Sequence, residues 1–421
     1  MISIWPVSAI IITAITSRII TKSWLTPGAF FSLLWSLFMF APLIFAPDFS
    51  INSLGLWFIA IATMACSAGS FFAFSPVKNL NQKRLYNKKP IPRIWLFSLM
   101  GLLCVSVMGL LLLILHAFSN YASTFETNIL LAIPNLISIE RYSGYLEYPD
   151  VITYSLYCIY PATLLGGFIF SLKQSTIKVK LLSILPLCLA ILLGLIEGAR
   201  TSILLGLVLF FSAVIASSVR IENNNLTNSR KFWKVLLGSI ILFSSFTVLF
   251  ILVQWLRQGM DTIIFELLIT RIKAYFFGYL AAFTQWFTLY HNTIPTMGLT
   301  TFAGPSNLAG LIERPLGFYD SSIIAIGVST NIFTALRGLI TDFSIVGAIM
   351  IIFTSGFLAQ LAFNHSRNGS QLALIPLSIF YAFTFYSPLI SIFHYNSIIF
   401  SWIITFLVFL LPRNAHLAHN S

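Results

Sequence analysis

Three short stretches keep charges that an apolar chain has little reason to keep. The turn GLIEGARTSILLGL sets Glu197 and Arg200 three residues apart with almost no loop around them, ITRIKAYFFG carries Arg271 and Lys273, and STNIFTALRGLITDF carries Arg337 and Asp342. A planar guanidinium presents its donors as a fork that matches phosphate oxygens two at a time, so an arginine set without metal ligands suits an anion of the diphosphate kind. Plainer readings stand beside this one. Arg200 could snorkel to lipid headgroups or pair with Glu197, and Arg271 and Lys273 could anchor beside aromatic residues at a membrane interface. Arg337 and Asp342 lie one and a third turns apart if helical, so they point to different faces and a simple intrahelical ion pair does not explain them. His116, His291 and His394 read first as structural residues, with phosphate binding or proton transfer as the alternative. No DxD, HExxH or CxxC pattern occurs, and no glycine-rich phosphate loop, so neither a compact metal motif nor nucleotide hydrolysis is indicated.

The elements that must position these charges follow from composition. Of 421 residues 58% are hydrophobic and only 9% charged, 40 are phenylalanine, and the mean hydropathy is +0.91. Runs such as IWLFSLMGLLCVSVMGLLLLIL are long and unbroken enough to cross about 30 Å of hydrocarbon as helices, whereas barrel strands would alternate. The sequence predicts an all-α polytopic membrane protein with spans near 2–17, 28–46, 54–75, 94–117, 151–171, 181–196, 201–218, 235–256, 343–363, 371–390 and 397–411. The N-terminal run has no basic residue before it and reads as an uncleaved first span. Cys66, Cys104, Cys158 and Cys188 all fall in apolar spans and read as packing residues.

With the basic loop VKNLNQKRLYNKKPIPR assigned to the cytoplasm, most of the 24 Lys and Arg lie inside and Glu222 alone of the 12 acidic residues joins them. That bias predicts an outside N-terminus and an inside C-terminus, and it makes the net charge of +12 a topology signal that calls for no nucleic-acid partner. Three regions follow: 1–256 with eight spans and an outer segment at 119–150, a long outer loop at 257–342, and 343–421 with the last three spans and an inner tail. Two apolar runs inside the long loop, AYFFGYLAAFTQWFTLY (274–290) and SSIIAIGVSTNIF (321–333), are expected to form short re-entrant or interfacial helices, with a further pair of spans as the alternative, so the helix count is 11 to 13. Gly298, Gly304, Pro305 and Gly310 break the stretch between them into loop.

GARTSILLGL at 198–207 and STNIFTALRGLITDFSIVGA at 329–348 resemble the O-antigen polymerases of the Wzy type, the oligosaccharide repeat unit polymerases. That family has a glycine-arginine turn between two spans, a long periplasmic loop, and a TN..TA.RG...DFG..G segment before a late span. One departure is visible: Ser344 stands where a glycine usually follows Asp-Phe. The resemblance implies a GT-C-like, metal-independent and inverting glycosyltransferase of the bacterial inner membrane, with its active site facing the periplasm and no cofactor. It implies undecaprenyl diphosphate-linked oligosaccharides as donor and acceptor and a chain-length regulator, or polysaccharide co-polymerase, as a possible partner beside membrane lipid.

On that resemblance Arg200 and Arg337 are assigned to the diphosphate, assisted by Arg271 or Lys273. Asp342 is the first candidate for general base or for orienting Arg337, followed by Glu197 and Glu140, with His291 after them. Tyr142, Tyr145, Tyr148, Trp286 and Tyr290 are candidate sugar-stacking rings. Arg337 and Asp342 would form one wall of a cavity at the outer leaflet, faced by Arg200. Two rivals remain: a lipid-linked oligosaccharide flippase, which should show related halves and charges along mid-spans, and an O-antigen ligase, from which the TALRG...DF segment separates this chain.

Overall fold

The computed structural model describes residues 4–75, 92–121, 129–143, 146, 148–172, 175–220, 248, 250–256, 265–291, 294–313 and 319–417, and of 129–131, 142, 265–270 and 412–417 the backbone alone. These residues are mostly helical: α1 (Trp5–Thr21), α2 (Pro27–Phe45), α3 (Ser53–Phe72), α4 (Arg93–Tyr121), α5 (Ile129–Ser143), α6 (Asp150–Tyr157), α7 (Ile159–Phe170), α8 (Ile177–Ile196), α9 (Arg200–Ser218), α10 (Phe265–Leu289), α11 (Ala303–Leu308), α12 (Ala335–Arg367), α13 (Leu374–Tyr386) and α14 (Asn396–Leu417). A two-stranded antiparallel sheet, β1 (Ser322–Ala325) and β2 (Val328–Thr330), interrupts them. Among the described residues, seven helices are long and apolar enough to cross a membrane: α2, α3, α4, α6 with α7, α8, α9 and α12. Three shorter apolar helices, α1, α13 and the first part of α14, coincide with further expected spans. The span expected at 235–256 falls mostly outside the described residues. The protein is thus a helical, membrane-embedded chain.

The long loop departs from expectation. The run at 321–333 is a hairpin and not a re-entrant helix, pairing Ser322 with Thr330 and Ile323 with Ser329. Its β-branched residues flank Gly327, whose φ of +71° suits a tight turn, and the Ser50 N–H donates to the Ile324 carbonyl. The run at 274–290 belongs to α10, which at 25 residues is no short helix. Gly304 and Pro305 fall inside α11 and not in a loop.

Two compact units interleave along the sequence. One holds 1–87, 215–220 and 269–399, the other 88–214, 221–268 and 400–421. In the first unit α3 packs along α12 at very short range. A methyl group at Gly69 would overlap the Phe353 carbonyl oxygen, and one at Gly356 would overlap the Cys66 carbonyl oxygen. In lipid, where apolar surface alone does not drive helices together, such small-residue contacts are what let backbones approach. Ser70 donates to Gln360, Gln360 to Asn364 at 3.0 Å, and Asn364 to the Ala73 carbonyl at 2.7 Å, so the buried polar groups of this seam satisfy one another.

Helix α12 is bent at Ser344, where φ is 66° and ψ 174°, a conformation that only glycine adopts without strain. The bend separates a short helix at 335–343, about 13 Å long at 1.5 Å per residue, from the long apolar run that follows. Ser344 also caps that second part, its Oγ accepting from the Gly347 N–H at 3.4 Å. Serine at this position therefore exchanges backbone ease for a cap. Strain of about 1–3 kcal/mol exceeds the few tenths lost when glycine replaces a capping serine. Ser344→Gly should raise the thermal midpoint in nanodiscs and Ser344→Ala, which loses the cap and keeps the strain, should lower it. A Gly variant less stable than wild type would refute the strain.

Candidate functional site

Arg337 lies in the first turn of α12, and its guanidinium is enclosed by aromatic faces. Its Cζ stands 4.0 Å from the centre of the Tyr319 ring, 4.1 Å from Phe333 and 5.1 Å from Trp286. Tyr319 and Phe333 are buried beside Ile324 of the hairpin and Ala281 and Ala282 of α10, so the cage walls are fixed by packing. Among the described residues no carboxylate is in ion-pair reach of Arg337. A guanidinium held by its faces keeps its in-plane N–H fork for another partner. The same helix end adds partial positive charge: Thr334, the N-cap, uses no side-chain bond to close the helix, and its buried Oγ1 has no hydrogen-bond partner among the described residues.

Asp342 sits five residues on, fully buried, and its carboxylate is spent on the preceding loop. Oδ1 accepts from the Thr300 N–H at 2.9 Å and from Thr296 Oγ1, and Oδ2 accepts from the Thr301 N–H. The backbone repeats the attachment, with the Thr296 N–H on the Thr341 carbonyl at 3.3 Å and the Met297 N–H on the Asp342 carbonyl at 3.0 Å. Gly298, at φ +99°, makes the turn that brings Thr300 and Thr301 back to the carboxylate. Gly338 faces the loop and cage, where a methyl would stand in ordinary contact with Tyr319 Oη at 3.4 Å and Thr301 Oγ1 at 3.6 Å. Asp342 thus anchors a loop, and this geometry favours neither proton abstraction nor an ion pair with Arg337.

The second unit holds the other turn. Gly198, at φ +58°, ends α8 in a Schellman arrangement, with the Ala199 N–H on the Gly194 carbonyl at 2.9 Å and the Gly198 N–H on Leu195 at 3.4 Å. Glu197 does not pair with Arg200. Its Oε2 meets Arg141 Nη2 at 3.4 Å and Ser202 Oγ at 3.4 Å, while Arg141 also reaches the Glu197 carbonyl. Burial pushes the Glu197 carboxyl above its ordinary value, a shift that Arg141, Ser202 and Tyr148 offset only in part. Arg200 starts α9 with its Cζ 4.5 Å from the centre of the Phe250 ring. Glu140 accepts from Tyr121 Oη at 2.5 Å.

The remaining expected residues scatter. Lys273 forms an ion pair with Asp48 and lies 5.4 Å from the Phe49 ring centre, so its charge is already met within the protein. Arg271 and His291 are exposed. Trp286 turns its ring toward Arg337 and is backed by Tyr290, ring centres 5.1 Å apart. Tyr145 and the side chain of Tyr142 lie outside the described residues. Arg337 and Asp342 belong to one unit, and Arg200, Glu197 and Glu140 to the other. Sequence reading did not find Tyr319, Phe333, Thr296, Thr300, Thr301, Arg141 or Asp48. Arg141 alone carried a signal, as the single basic residue of the 119–150 segment. Among the described residues no cluster of three His, Cys, Asp or Glu could hold a metal ion.

No family model, curated protein or solved structure matches the chain.

Replacing Asp342 by Asn sets an amide N–H2 against backbone N–H donors, so one donor of the loop loses its acceptor at a cost of about 1–3 kcal/mol. Amide exchange at 297–302 should quicken by roughly tenfold or more, since each 1.4 kcal/mol is a factor of ten, while the α3–α12 seam stays protected. Unchanged exchange in the loop would remove Asp342 from the anchoring role. For Glu197 the folded pKa lies above the ordinary 4.5, so the folded chain holds the proton more tightly. Stability from this group is fully present below about 4.5 and is lost as pH rises through the folded value. The thermal midpoint of Glu197→Gln minus that of wild type should therefore increase as pH rises from 4.5, and a difference that is flat with pH would contradict it.

Proposed function

We propose that this protein is an O-antigen polymerase of the Wzy type. On this reading it transfers a growing oligosaccharide from undecaprenyl diphosphate to the non-reducing end of an incoming lipid-linked repeat unit, at the periplasmic face of the inner membrane. The observation that carries the proposal is the Arg337 cage: a cation fixed by three ring faces, without a carboxylate partner among the described residues, at the positive end of a short helix. Such a group meets the main need of this chemistry. As the acceptor hydroxyl oxygen bonds to the anomeric carbon, the bond from that carbon to the diphosphate oxygen breaks, and negative charge develops on the leaving lipid diphosphate. A preorganised donor stabilises that charge without reorganising at the moment of reaction. The acceptor proton must pass to a base. Asp342, saturated by donors, is not that base.

Purified protein in nanodiscs, supplied with undecaprenyl diphosphate-linked repeat units, should yield a ladder of chain lengths. Arg337→Ala should slow its formation about 10²- to 10³-fold, as expected for loss of one preorganised donor. Arg337→Lys should be intermediate, keeping the charge and losing the fork. Well-folded wild type that makes no ladder but moves the lipid-linked sugar across a vesicle bilayer would make the protein a flippase.

A further inference from the structure

A cavity of ≈ 250 Å³ opens in the second unit between the end of α4 and the end of α5. Its polar lining is His116, Asn120, Tyr121, Glu140 and Tyr148. These residues are already organised. Tyr121 donates to one oxygen of Glu140 at 2.5 Å, Asn120 Nδ2 lies 3.1 Å from His116 Nε2, and the His116 and Tyr148 rings meet edge to face at 6.1 Å. Ala117, Tyr121 and Ile137 of the lining belong to a buried cluster with Ile133, so the helical walls rest on core, while Leu146 and Tyr148 come from the segment between α5 and α6. Among the described residues the second oxygen of Glu140 accepts no hydrogen bond. The neighbouring cation Arg141 lies beside Tyr148 and is paired with Glu197.

The geometry points to this pocket as a binding site for one uncharged sugar ring of the repeat unit. The inference rests on the polymerase reading and supplies it with a sugar subsite. The volume is below the roughly 300–1,000 Å³ of sites for drug-sized ligands, which leaves room for a single ring and not for an oligosaccharide. The lining matches a pyranose on both its surfaces. A carboxylate oxygen and a side-chain amide accept and donate to adjacent hydroxyls, while the Tyr148 ring offers an apolar face to ring C–H groups. Glu140 brings negative charge into the lining, and the one cation beside it among the described residues, Arg141, is already met by Glu197, so an acidic sugar is repelled and a neutral one accepted. On this assignment Glu140 binds sugar through its hydroxyls, and its loss weakens acceptor binding more than turnover.

The test uses the full-length protein in nanodiscs and, as probe, the soluble oligosaccharide cleaved by mild acid from neutral lipid-linked repeat units. Saturation-transfer NMR should show contact concentrated on one sugar ring in wild type. The signal should fall at least tenfold in affinity in Glu140→Gln and Tyr148→Ala, and severalfold in Asn120→Ala, an exposed position whose change leaves folding intact. In the ladder assay Glu140→Gln should raise the acceptor KM about tenfold with a smaller change in kcat, whereas Arg337→Lys should act mainly on kcat. Oligosaccharide contact that is unchanged in both Glu140→Gln and Asn120→Ala would place the sugar elsewhere. Wild type that builds a ladder yet shows no ring contact would remove the pocket and leave the polymerase reading standing. Ring contact that depends on Glu140 in a protein making no ladder would keep the pocket and remove the polymerase.

Discussion

A carboxylate without solvent must have its charge met by donors, and at Asp342 those donors come from a single loop. Removing a charge from water is costly unless hydrogen bonds replace what water supplied. Thr296, Thr300 and Thr301 supply them, which ties the chain before α11 to the short helix at 335–343. The attachment carries further. Ala335 donates to the Ser387 carbonyl at 2.7 Å, and the Asn396 side chain donates to the Gly304 carbonyl at 3.3 Å, so the helix end, loop and turn beyond α13 close on one another. The buried acid is the fixed point to which these loop segments of the unit are referenced.

The described cations divide by how their charge is met. Lys273 and Arg141 have carboxylate partners in Asp48 and Glu197, and a paired cation has little left to offer an anionic ligand. Arg337 is held by aromatic faces. Rings restrain a guanidinium and lower its energy without neutralising it, and they leave its plane of donors unspent. That difference in partner separates a structural cation from a candidate ligand-binding one, although all three residues looked alike as isolated charges.

The cage needs a rigid frame, and glycine contacts supply part of it. Gly69 and Gly356 let α3 and α12 touch backbone to backbone, while the Ser70, Gln360 and Asn364 chain satisfies polar groups within the seam. On the other side Tyr279 donates to the Phe38 carbonyl at 2.6 Å, and the Asn52 N–H donates to Thr284 Oγ1 at 3.1 Å, joining α10 to α2 and to the turn before α3. Helix α10 carries Trp286, so the same contacts that seat the helix also seat one wall of the cage.

Composition and run length determined that the chain is helical and membrane-embedded, because only long apolar helices satisfy their backbone in lipid. The spacing of Gly198 and Arg200, and of Arg337 and Asp342, also singled out two segments, since charge is rare enough here to stand out. Partners were not legible. Glu197 lies three residues from Arg200 yet pairs with Arg141, and Arg337 lies five from Asp342 yet packs on Tyr319, Phe333 and Trp286. The hairpin at 322–330 was hidden for a related reason: a short apolar run has the same composition as strand or helix, and its register was set by Gly327 and by contact with Ser50. Local pattern determined the long apolar helices and flagged the charges. Which charge meets a carboxylate, which meets a ring and which meets a loop was decided by the tertiary structure, because those partners come from segments far apart in sequence.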